Sequence, residues 1–272
     1  MQTTPEIVDR KSLSLHRSRA DRNKGMFLQK LAFDDVQDRL SLVNRDFTNV
    51  AVVSPFPEVW AAIFPNARVV PDTDLLDLEP KSFDLVIHAL CLHWANDPVG
   101  QIIQCHRALK SDGLFMCVTF GGQTLTELRA ALGQAESEER NGLSPRVVPM
   151  GEIRDLGALL QRAGLALPVA DSVPMKVTYK TPWHLMKDLR AMGETNALSG
   201  RLRHPTGKTV FLKAASLYES EFGEDGRIPA TFELVFLTGW APDESQPKPL
   251  RPGSASTRLA EALGAVETPL KD

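Results

Sequence analysis

The stretch FDLVIHALCLHWANDP, Phe83 to Pro98, decides how this chain folds. Its first half is apolar apart from Asp84 and His88, and its length suits a strand buried on both faces, set here at Ser82–His88. Its second half closes on Asp97-Pro98, an N-cap followed by proline at the first helical position, so a helix starts there and runs to about Leu109. A buried strand followed by a helix is half of a βαβ unit.

The same alternation extends in both directions. Downstream, Lys110–Gly113 reads as a turn into a second buried strand, Leu114–Thr119, which Gly121 and Gly122 end. Upstream, Asn49–Val53 reads as a strand, Glu58–Phe64 as a short helix, Arg68–Val70 as a short strand and Asp72–Lys81 as a polar loop. Further on come helices at Leu125–Glu138 and Glu152–Ala163, with Gly164 as C-cap, then a strand at Val173–Lys180. Helices at Trp183–Met192 and Lys208–Phe222 and a strand at Thr231–Gly239 complete the pattern. It predicts an α/β protein with a Rossmann-like, mostly parallel sheet and an antiparallel pair at one edge. Residues 1–48 read as an N-terminal helical arm and 49–241 as the main domain, with helical insertions at about 136–163 and 182–207. Pro242, Pro247, Pro249 and Pro252 mark 242–272 as a tail, with a short helix at Thr257–Leu263.

Charge narrows the function. Lys and Arg number 31 against 34 Asp and Glu, a net charge of −3, which is too balanced for a chain that neutralises nucleic-acid backbones. No uncharged stretch approaches the roughly 18 apolar residues of a spanning helix. Cys91, Cys105 and Cys117 fit neither a disulfide framework nor metal spacing, and His88, His93 and His106 do not have zinc-site spacing, so no metal is expected. Glu6, Asp9 and Asp21 interrupt the acid-poor composition of a transit peptide, and the expectation is a cytoplasmic protein in a reducing compartment. Between Arg10 and Lys24 six basic side chains meet one acid, which reads as the solvated face of a helix packing on the main domain.

FDLVIHALCLHWANDP, ALKSDGLF (Ala108–Phe115) and VTFGGQTLTELR (Val118–Arg129) together resemble the class I S-adenosylmethionine methyltransferase superfamily. The likeness runs on through DLGALLQRAGL (Asp155–Leu165), LMKDLRAMGETNAL (Leu185–Leu198), IPATFELVFLTGW (Ile228–Trp240) and RPGSAS (Arg251–Ser256). It is nearest to the branch holding the mitochondrial complex I assembly factor that hydroxylates an arginine, with the malonyl-acyl-carrier-protein methyltransferase of biotin synthesis as a cousin. The resemblance implies a sheet whose carboxyl edge holds S-adenosylmethionine, a helical lid at about 182–207 over the substrate mouth, and a respiratory-complex subunit as protein partner.

The chain departs from that pattern where the cofactor should lie. Such a site needs a glycine-rich turn after the first strand, where backbone approaches the ligand and donates amides. Here Val50–Val53 runs into Ser54-Pro55-Phe56-Pro57, no glycine occurs between Gly25 and Gly100, and the two prolines remove two donors. The interval before Phe83 is short by one βα unit, which predicts six strands. ARVVPDTDLL (Ala67–Leu76) resembles the family's third-strand region and makes Asp72 and Asp74 the candidates for an adenine contact, with His88 and Leu90 beside them in any competent cofactor site. His93, Trp94, Gly121, Gly122, Glu194 and Asn196 are the candidates for substrate or partner contact, and no catalytic residue is assigned. Arg201, Arg203 and His204 form a basic loop suited to an acidic partner. Two functions follow: a binding or assembly protein with a degenerate cofactor site, or an active S-adenosylmethionine-dependent methyltransferase or related hydroxylase with a rebuilt one.

Overall fold

Alternation along each strand sorts the apolar side chains onto two faces of one sheet. Val50, Val52, Leu85, Ile87 and Met116 enter one core, while Ala51, Val53, Val86, Phe115 and Cys117 enter the other. The computed structural model describes residues 6–61, 64–247 and 264. Within them the strands are β1 (Val50–Val53), β2 (Arg68–Val70), β3 (Phe83–Ala89), β4 (Leu109–Phe120), β5 (Ala166–Tyr179) and β6 (Ile228–Trp240). They form a 6-stranded sheet in the order β2-β1-β3-β4-β6-β5. The first four run parallel, and β6 pairs antiparallel with both β4 and β5. The unit Met1–Pro242 holds all of this architecture.

Helices cover both faces. α1 (Arg10–Ser18) and α2 (Phe27–Ser41) make the N-terminal arm, and α2 buries Leu28, Ala32 and Val36 at helical spacing in the first core. α3 (Pro57–Trp60) is a single turn whose Trp60 is fully buried and donates its indole N–H to Gln29 Oε1 at 3.0 Å. α4 (Pro98–Ala108) is capped as its sequence demands, with the Asp97 carboxylate accepting the Gly100 N–H at 2.8 Å. α4 and α6 (Ile153–Arg162) cover the second core. α5 (Thr126–Arg140), α7 (Pro182–Met192) and α8 (Lys208–Phe222) cover the first.

Several boundaries differ from the sequence reading. The expected turn at Lys110–Gly113 is strand: β4 starts at Leu109, and a register shift beside Phe83/Leu85 absorbs Asp112 at φ 56°. β5 begins at Ala166, seven residues ahead of the expected Val173, because β6 offers it pairing along its whole length. Arg68–Val70, likened to a third strand, lies directly beside β1, and no helix joins β2 to β3 among the described residues. The helix expected at Thr257–Leu263 lies outside the described residues.

The arm is threaded tightly onto the lid. Val8 bridges Leu198, the Asp9 N–H donates to Ala197 O at 2.8 Å, and the Asp21 N–H donates to Ala191 O at 2.7 Å. At Gly25 an added Cβ would overlap the Ala191 carbonyl, so the backbones touch there only because a side chain is lacking. Gly25→Ala is expected to destabilise the fold by about 1–3 kcal/mol, read as a lower urea midpoint at unchanged slope.

Candidate functional site

The carboxyl edge of the parallel strands, where α/β sheets receive ligands, is built here from chain-internal contacts. After β1, the Ser54 N–H donates to Val70 O at 2.9 Å and the Phe56 N–H donates to Ser54 Oγ at 3.1 Å. Pro55 and Pro57 have no N–H to give, so residues 54–57 offer no free amide. Phe56 is 1% exposed and packs inward, with the Arg22 guanidinium 4.6 Å from its ring centroid. Arg22 in turn pairs with Glu58 at 2.6 Å.

Asp72, just past β2, is buried and engaged from the arm. Arg17 Nη1 donates to its two carboxylate oxygens at 2.7 and 2.8 Å, and Arg10 reaches both its carboxylate and its carbonyl. Burial alone would lower the Arg17 pKa, but the Asp72 charge reverses this and holds it above its usual value. Arg17 Nε and Nη2 are buried without a hydrogen-bond partner among the described residues. Asp74 is exposed and contributes its carbonyl, not its carboxylate, to Gln104. His88 is fully buried, with Nε2 2.9 Å from Gln101 Oε1, and Gln101 Nε2 donates onward to Thr73 O at 3.1 Å. Leu90 is 1% exposed at φ 47° in the first core. A cavity of 10 Å³ remains between Gly25, Gln29, Leu90 and Glu194.

On the far side of Glu194 the space opens. A 250 Å³ cavity lies between α5, α7 and α8, walled by Phe120, Leu128, Met150, Phe211 and Phe232. Glu194 follows Gly193, the C-cap of α7 at φ 80°, which turns the chain back over the sheet edge. Its Oε2 accepts the Trp94 indole N–H at 2.6 Å and lies 3.2 Å from His93 Nε2, while Oε1 has no hydrogen-bond partner among the described residues. Burial pushes the Glu194 pKa up, but His93 and Arg17 together with the Trp94 hydrogen bond outweigh it, so the carboxyl lies below its usual range. The cavity is thus an apolar and aromatic chamber with an ionised carboxylate at its inner end.

The remaining candidates have internal uses. A Cβ on Gly121 would overlap the Glu233 carboxylate, and one on Gly122 that of Glu152, so both glycines admit the chain's own acids. Asn196 lines the cavity while its amide donates to Pro145 O at 2.8 Å and its Oδ1 accepts the Leu198 N–H. Arg201 and Arg203 both bind Asp9, at 2.9 and 3.0 Å, and so fasten the arm. Sequence reasoning missed Arg17, Gln101 and Gln29. For Arg17 the signal was Leu13, four residues earlier on the same buried stripe, within a run otherwise read as solvated.

This is a class I methyltransferase-like α/β domain with one βα unit fewer than the motifs imply, and residues 36–117 match a methyltransferase domain family. The chain is similar to "Arginine-hydroxylase NDUFAF5, mitochondrial" of Homo sapiens, 40% identical over 205 residues that make up 74% of this chain and 58% of that one. The Dictyostelium discoideum protein of the same name is 42% identical over 69% of this chain and 43% of its own length. A malonyl-[acyl-carrier protein] O-methyltransferase of Gallionella capsiferriformans is 34% identical over 72% of this chain and 65% of that one. The resemblance drawn from the motifs therefore holds, over stretches that span less than two thirds of each of these relatives. The expectation of a cytoplasmic protein is corrected by the two arginine-hydroxylase relatives, which are named as mitochondrial. That expectation leaned on Glu6, Asp9 and Asp21, and Asp9 caps α1 and binds Arg201 and Arg203, so an acid in this segment serves the fold and carries no compartment signal.

Two measurements test this geometry. Arg17→Met should cost about 3–5 kcal/mol by stranding Asp72, and adding Asp72→Asn should recover much of the loss. Zero coupling in that double-mutant cycle would show that the pair does not anchor the arm. Burial pushes the His88 pKa down to about 4, against a gain from its Gln101 hydrogen bond, so the unfolded chain binds more protons as pH falls below the ordinary 6.5. Stability should therefore drop between pH 6.5 and about 4, by roughly 3 kcal/mol in all, and His88→Asn should flatten that slope in pH-dependent unfolding.

Proposed function

We propose that this chain is a binding and assembly protein of the complex I assembly branch, with a degenerate S-adenosylmethionine site and a retained pocket for a basic side chain of a protein partner. The observation that carries this reading is the state of the cofactor half. Asp72 is held by two arginines of the arm, the turn at 54–57 has no amide to offer, and Phe56 is buried with the Arg22 guanidinium over its ring. The 10 Å³ cavity beside Leu90 and Glu194 suits about one water, far less than an adenosyl sulfonium needs.

The lid cavity supports the second half of the proposal. An ionised carboxylate at the end of an aromatic and aliphatic chamber suits a guanidinium or ammonium on an alkyl stem, since the stem is desolvated among apolar walls and the charge meets its counterion. The relatives' name, arginine-hydroxylase, supplies a ligand of that class, and a respiratory-complex subunit is the partner their branch suggests. A second reading rests on Arg17 Nε and Nη2, buried donors without partners. A cofactor carboxylate would satisfy them if the arm moved, which would make the protein an active enzyme with a rebuilt site.

Calorimetry separates the two. Titration of the full chain with S-adenosylmethionine and S-adenosylhomocysteine up to millimolar ligand should give neither heat nor a thermal shift, and saturation in the micromolar range would overturn the assembly reading. For the pocket, an arginine-bearing peptide should bind the wild type at least tenfold more tightly than Glu194→Gln, a loss of about 1.4 kcal/mol or more. Equal affinity would remove Glu194 from recognition.

A further inference from the structure

The outer face of the lid carries a feature that the arm does not use. On α7, Trp183, Lys187 and Arg190 recur at i, i+4 and i+7 and so share one side of the helix. On α8, Lys208, Phe211 and Leu212 recur at i, i+3 and i+4. The Trp183 and Phe211 rings meet at 6.5 Å, which joins the two helices into one surface, and Arg190 and Phe211 also line the 250 Å³ cavity.

This surface is apolar and cationic together. Trp183 is 44% exposed and Leu212 52%. Lys187, Arg190 and Lys208 are exposed, and among the described residues none has a carboxylate within salt-bridge distance. Nearby acids are already committed: Asp188 accepts the Tyr179 hydroxyl at 2.8 Å, and Glu138 binds Lys213 at 2.8 Å. A globular surface seldom leaves an indole and a leucine in water beside uncompensated cations without a partner for both.

We propose that the α7–α8 face docks peripherally on an anionic phospholipid surface, with Trp183 and Leu212 in the interfacial layer and Lys187, Arg190 and Lys208 on lipid phosphates. An indole is stable at headgroup depth because its ring is apolar and its N–H still finds acceptors. Lys and Arg bury their stems beside it and lift their charges to the phosphates, a fluid array that suits flexible cations better than a fixed pattern of carboxylates does. Such docking needs no spanning segment, and among the described residues no helix is long and apolar enough to cross a membrane. The surface binds lipid whether or not the cofactor half is closed.

Sedimentation of the full chain with vesicles tests this. The protein should pellet with phosphatidylcholine vesicles containing phosphatidylglycerol, stay in solution with phosphatidylcholine alone, and be released by rising salt. Lys187→Gln with Lys208→Gln should lower the partition coefficient about 25-fold, at roughly fivefold per basic residue, with circular dichroism and melting unchanged. Trp183→Ser should weaken pelleting at high salt, where the apolar contribution dominates. Failure to pellet with the anionic vesicles, or pelleting indifferent to the lysine substitutions, overturns the proposal. Retention on a polyglutamate matrix through the same lysines, with no vesicle binding, also overturns it and assigns the face to an acidic protein.

Discussion

A buried ion pair, Arg17 on the first helix with Asp72 past the second strand, joins the N-terminal arm to the edge of the sheet. Removing two charges from water costs several kcal/mol per ion, and their attraction repays it only when the remaining donors and acceptors are satisfied. Asp72 is well served, by Arg17 and Arg10 together, but Arg17 spends one nitrogen on the pair and leaves two without partners. The pair therefore contributes more to where the arm sits than to how tightly it holds. The holding comes from Leu13, Met26, Leu28, Ala32 and Val36, all buried, at about 1.5–3 kcal/mol for each large side chain.

Much of the architecture was legible because its signals are local. The two-face alternation of β3, the Asp97-Pro98 cap and the Gly193 helix stop each act within a few residues, and each sits where the sequence places it. The boundaries that moved are set by partners distant in sequence: β5 is long because β6 pairs with it down to Ala166, and β4 begins early because Phe83 pairs with Leu109. The same division holds in the site. The grouping of His93, Trp94 and Glu194 came from motif positions, and the three side chains do meet, although Glu194 lies 100 residues from Trp94. Arg17 was illegible because a basic residue in a basic run reads as solvated, and only the tertiary position of Asp72 brings it inside.

Glu194 ties the two halves of the sheet edge together. It borders both the small void beside Leu90 and the large cavity under the lid, and its charge is held by His93 and Trp94 on one side and by the field of Arg17 on the other. A carboxylate so placed is ionised without being neutralised in the cavity itself, since its free oxygen has no hydrogen-bond partner there. The arm thus packs on one half of the edge, while the cavity on the other half has an ionised carboxylate at its inner end.

The loss of a βα unit and the docking of the arm follow from one constraint. With β2 as the outermost strand among the described residues, Asp72 stands at a sheet edge, and with Arg10 and Arg17 of the arm against it, it is 4% exposed. A buried carboxylate must either be protonated or meet a positive charge. Ribose hydroxyls or an adenine amine could only hydrogen-bond to it, whereas a guanidinium brings a full charge and costs no release of a bound molecule. Once the arm supplies Arg10 and Arg17, a neutral ligand group has to displace a covalently tethered cation, whose effective concentration is set by the short chain between α1 and α2. The shortened sheet therefore gives the Asp72 carboxylate a counterion from within the same chain, held in place by the packing of the arm.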